Sequence, residues 1–199
     1  MKKPWDSFEK NYVAVETLDP ESGKPKLQYE YYGPWFICKT GSAAFGKAKW
    51  TAGIALVLNI AAILLAGFVD SVLNRAGVTC IPYGLAVAAA IFVLMGAVIF
   101  LISGEKVKRP EYEKMNLLLR SAPFFEAVLL LFAFLAGMIL LVMKKPAIPE
   151  WLPLAGYLLG GCSSLAIALS YRTLRYKEEK NTDFEYAPGF PPKDSEDEE

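Results

Sequence analysis

Residues 81–103 read IPYGLAVAAAIFVLMGAVIFLIS, an apolar run without one charged side chain. About 20 residues of helix cross the hydrocarbon core of a bilayer, so this stretch is long enough to span one. Three more runs share its character, at residues 50–69, 122–143 and 151–171. Lipid cannot hydrogen-bond a peptide group, so each run must satisfy its own backbone as a helix. The period-two alternation of a membrane β-barrel strand is absent from all four. Charged residues make up 21% of the chain, below the roughly 25% of soluble domains. The apolar residues are also clustered, where a soluble core would spread them periodically. The first run begins near residue 50, too late and too long for a cleaved signal peptide. It is expected to act as an uncleaved start-transfer helix.

Charge sets the expected orientation. Eighteen of the 21 Lys and Arg lie before residue 50, in the loop between the second and third runs, or after residue 171. The other three are Arg75, Lys144 and Lys145. Positive loops stay on the cytoplasmic side. Both termini and the second loop are therefore expected in the cytoplasm, in a multi-pass protein of a bacterial cytoplasmic membrane. Trp50, Phe124, Phe125 and Tyr171 on one side, and Tyr83 and Trp151 on the other, suit the interfaces. Pro82, Pro123 and Pro153 are expected in the first turns of their helices, where a missing N–H costs little.

The flanking segments divide the chain into residues 1–49, a bundle at 50–171, and a tail at 172–199. Residues 12–33 alternate around the turn candidate Pro20-Glu21-Ser22-Gly23 and read as a β-hairpin with an aromatic face. Pro34-Trp35-Phe36-Ile37 reads as a short interfacial contact. The second loop carries Lys106, Lys108 and Arg109 followed by Met115, Leu117, Leu118 and Leu119; it reads as a surface helix or a plain connector. The tail is expected to begin as a helical extension and to end disordered in the Pro-rich, acidic APGFPPKDSEDEE. The fold class is thus an all-α, four-transmembrane-helix bundle with a small N-terminal cytoplasmic hairpin and a disordered acidic tail.

Several function classes lose support. Net charge is zero, so no basic field attracts nucleic acid. The chain has no His, and Cys38, Cys80 and Cys162 are too scattered for a metal centre or a disulfide framework. No catalytic residue, metal or cofactor is expected, and the motifs of hydrolases and nucleotide-binding loops are missing.

Inside the spans, chemistry concentrates at few positions. Each span carries a stripe of small or polar residues at helical spacing, which lets helix backbones approach where water cannot drive association. Gly156 and Gly160 form a GxxxG pair expected to pack helices or to face a second copy. Asn59, near the middle of its span, needs a polar partner, expected to be Ser163, Ser164 or a backbone carbonyl. Glu126 is the one acid within a span, expected a turn or so beneath the cytoplasmic rim. It is expected either to pair with Lys47, Lys49, Arg120 or Arg172, or to serve a proton or cation. The leading expectation is a non-enzymatic accessory, scaffold or assembly subunit working through its cytoplasmic segments. Its partners would be the lipid bilayer and a homo-oligomer or membrane complex. The alternative is a small oligomeric transporter or channel using Glu126 and Asn59.

Overall fold

The computed structural model of the protein describes residues 11–18, 25–144 and 151–181. Among them are four helices long and apolar enough to cross a membrane: α1 (Ser42–Phe68), α3 (Gly77–Ile102), α4 (Arg109–Lys144) and α5 (Trp151–Arg172). A single turn, α2 (Val72–Arg75), joins α1 to α3. This is the architecture of a multi-pass membrane protein. The helices alternate in direction. α1 packs on α5, α5 on α4 and α4 on α3, while α3 and α1 close the ring along a smaller contact.

Small residues explain the tight pairs. A Cβ built on Gly156 would come within 2.8 Å of both the Ala62 carbonyl oxygen and the Ala66 Cβ. One built on Gly160 would meet Leu130 at 3.0 Å. The GxxxG pair therefore faces α1 and α4 inside the bundle. Gly96 does the same for α3 against Leu118 and Leu119 of α4. The side chains left outside, such as Val57, Phe92, Phe132 and Leu159, are large, apolar and exposed. That inversion is expected where the surrounding solvent is lipid.

The helices are longer than the apolar runs. α1 begins at Ser42, eight residues ahead of the expected start, just after Gly41, whose φ of +90° suits a glycine. α4 has 36 residues, roughly 54 Å at the helical rise, well beyond a hydrocarbon core of about 30 Å. The second loop is thus no surface helix. Its apolar residues are the first turns of α4, with Met115 and Leu119 fully buried in the main core. Pro123 consequently falls deep inside α4, not in its first turn, and Pro82 is the sixth residue of α3. Pro153 does lie in the opening turn of α5.

The expectation of an all-α fold with one hairpin needs a larger correction. The hairpin is present: β1 (Tyr12–Leu18) pairs antiparallel with β2 (Pro25–Tyr31), Tyr12 opposite Tyr31 and Leu18 opposite Pro25. Its turn candidate lies outside the described residues. A second, three-stranded sheet stands beside it, made of β3 (Trp35–Cys38), β4 (Lys106–Lys108) and β5 (Tyr176–Glu179). β3 is central and antiparallel to both neighbours. The expected helical extension of the tail is therefore wrong: the chain turns at Thr173 and leaves as β5. The Pro-rich acidic end lies outside the described residues.

The strands come from the segment before α1, the link between α3 and α4, and the segment after α5. In an alternating bundle all three emerge at one end, and strand pairing joins them there. Pleating gives the sheet two faces. Phe36 and Cys38 turn to the bundle with Val107 and Tyr176, while Trp35 turns to the hairpin. Phe36 stacks on Tyr112 of α4, centroids 4.1 Å apart. Tyr112 meets Tyr176, which meets Tyr171, then Phe100, then Phe45. This chain of rings runs from the sheet into the helical core.

Candidate functional site

Asn59 of α1, Glu126 of α4 and Ser164 of α5 meet in the interior. Their helices bring them there because each sits on the small-residue face of its own helix, beside Ala62, Ala127 and Gly160. Asn59 Nδ2 donates to Glu126 Oε1 at 2.8 Å and to the Gly160 carbonyl at 3.1 Å. Ser164 Oγ lies 2.9 Å from Glu126 Oε2 and 3.0 Å from the Pro123 carbonyl. Glu126 and Ser164 are fully buried and Asn59 is 2% exposed.

Three of the four sequence-predicted polar residues thus converge. Ser163 does not join them; its hydroxyl donates to the Leu159 carbonyl of its own helix. Glu126 packs level with Asn59 inside the bundle, on a helix that runs unbroken from Arg109. The lysines and arginines expected to pair with it stay near the bundle end. Lys49 Nζ donates to the Leu101 carbonyl at 2.9 Å and to that of Ser103. Arg172 lies 4.2 Å over the Phe124 ring and reaches the Arg120 carbonyl at 3.5 Å. Among the described residues Glu126 has no ion-pair partner.

The hydrogens can be counted. Ser164 has one hydroxyl proton and two acceptors within reach. A carboxyl that carries its proton donates to Ser164 Oγ and frees the hydroxyl for Pro123. A carboxylate leaves one of those two contacts without a hydrogen, and leaves a buried charge with no ion-pair partner among the described residues. The arrangement joins three helices through one cluster of side chains.

No family model, no curated protein and no solved structure matches the chain.

Two further polar clusters escaped the sequence reading. At the far end, Asn74 of α2 donates through Nδ2 to the carbonyls of Ala66 and Val69, both at 2.7 Å, and so satisfies the open end of α1. Tyr157 donates to Asn74 Oδ1 at 2.7 Å, and Tyr83 donates to the Ile63 carbonyl at 2.7 Å. An Asn in a short link carries no periodic signal, so only the pattern of unsatisfied carbonyls at the end of α1 hints at it.

At the sheet end, Tyr31 is the joint between hairpin and sheet. Its hydroxyl donates to the Pro34 carbonyl at 2.6 Å and accepts from the Arg109 N–H at 2.9 Å. Asn181 Nδ2 donates to the Tyr31 carbonyl at 3.1 Å. Tyr12 and Trp35 contact the Tyr31 ring edge-on, and Lys108 Nζ lies 5.5 Å over it. Burial raises the Tyr31 phenol above its ordinary value, so it stays a neutral donor. Lys39 and Glu179 pair across the sheet, and that contact holds the Glu179 carboxyl below its ordinary value.

Proposed function

We propose that the protein is a non-enzymatic, multi-pass membrane subunit that presents a docking layer on the cytoplasmic side. In this reading both termini are cytoplasmic, as the excess of basic residues in the sequence before α1, between α3 and α4 and after α5 argues. The observation that carries it is the second sheet. Free loops suffice to connect helices; pairing all three same-side segments into one sheet, stacked on the bundle and overlaid by a hairpin, builds a fixed surface. The interior triad supports the same reading. Its polar atoms bond to one another and to helix carbonyls, which ties off the acid that a transport path would need exposed.

The test is photo-crosslinking from Tyr29, an exposed hairpin residue, in intact membranes. The expected result is capture of one defined partner, lost when residues 1–33 are removed while the bundle stays assembled. Flux of any ion through the purified protein in vesicles, abolished by Glu126→Gln, would instead establish the transporter.

A further inference from the structure

The bundle's loosest seam, between α1 and α3, opens into a groove of about 510 Å³ facing outward at the sheet end. Its walls are Trp50, Gly53, Val57 and Leu58 of α1 and Leu101 of α3, with Lys49 at its mouth. We propose that this groove holds one acyl chain of an anionic phospholipid whose headgroup rests on Lys47 and Lys49. The inference rests on the membrane-spanning reading and is independent of the docking role.

The groove has the size of a small-molecule site, roughly 300–1,000 Å³. Its walls are apolar, and in hydrocarbon the available apolar filler is a lipid tail. Gly53 makes the floor: a Cβ there would touch only Leu101, at 3.7 Å. Charge complementarity selects the headgroup. Lys49 spends two of its three N–H donors on the carbonyls of Leu101 and Ser103, with its ammonium 5.0 Å from the Phe45 ring, and keeps a third donor. Lys47 is exposed one turn before Trp50 and Thr51, on the face that continues to Ile54 and Val57. Among the described residues neither lysine is ion-paired. Glu105 lies just past the end of α3, and Lys106 follows it. An apolar groove beside two cations with no ion-pair partner among the described residues fits an anionic lipid better than a zwitterionic one.

The test uses the full chain in nanodiscs holding equal phosphatidylglycerol and phosphatidylcholine with the same acyl chains, released into native mass spectrometry. One phosphatidylglycerol per chain should be retained in preference. Lys47→Gln should weaken that preference about fivefold, the effect of one surface charge. Gly53→Leu should fill the groove and lose the retained lipid of either class, with the melting temperature unchanged. Lys49 is left alone because it also closes the end of α3. Equal retention of both lipids would overturn the proposal. So would unaltered retention in both variants, or a lipid-free dimer with a second copy cross-linked to Trp50.

Discussion

The middle of the bundle and its sheet end solve the same problem differently. In the middle, three side chains from three helices satisfy one another, and the backbone contributes the Gly160 and Pro123 carbonyls. At the sheet end, backbone pairing links three separated segments, and aromatic rings carry that layer down into the core. The middle depends on a few buried polar atoms. The end draws its order from many contacts, each modest.

Breaking the middle should therefore cost most per residue. Gly156→Leu has no space against Ala62 and Ala66, and is expected to destabilise the α1–α5 pair by about 3 kcal/mol in a detergent-denaturation titration. Glu126→Ala leaves Asn59 and Ser164 each short of one partner and opens a void, at an expected cost of about 2 kcal/mol. Glu126→Gln sharpens the contrast. Its carboxamide can accept from Asn59 and donate to Ser164, so the same titration should show a change within about 0.5 kcal/mol. A loss as large as that of the alanine variant would mean that the acid's proton or charge does more than join helices.

The end should yield locally. Tyr31→Phe removes the hydroxyl shared by Pro34 and Arg109, worth about 1 kcal/mol. Limited proteolysis should then cut the hairpin faster while the bundle melts as before. The smallest effect is pH-dependent. The Glu179 carboxyl is held below its ordinary value by Lys39, so the pair contributes above the free carboxylate range and is lost as pH falls through the lowered value. Hydrogen exchange at β5 should accelerate slightly on that acid side, and Glu179→Gln should abolish the pH dependence.

What was legible in the sequence follows the same division. The four spans were readable because a long run without charge has one viable conformation in lipid. Asn59 and Glu126 stood out because each interrupts such a run. The partner Ser164 could be named only with its neighbour Ser163, since adjacent residues on a helix differ by a rotation that no local pattern resolves. The second sheet was invisible for a different reason. Trp35-Phe36-Ile37-Cys38 is apolar on both faces, so it shows no alternation. Lys106-Val107-Lys108 is too short to show one. β5 follows α5 so closely that Arg172 to Lys180 reads as helix. Each strand exists only because the bundle delivers the other two beside it.

A fixed docking layer requires the sheet and the bundle to be one body. Hydrogen exchange on the full chain in nanodiscs tests this most directly, following Trp35–Cys38, Lys106–Lys108 and Tyr176–Glu179 together. The predicted result is slow exchange in all three segments, accelerated together by Phe36→Ala. Exchange of the three at independent rates close to those of free peptides would contradict it.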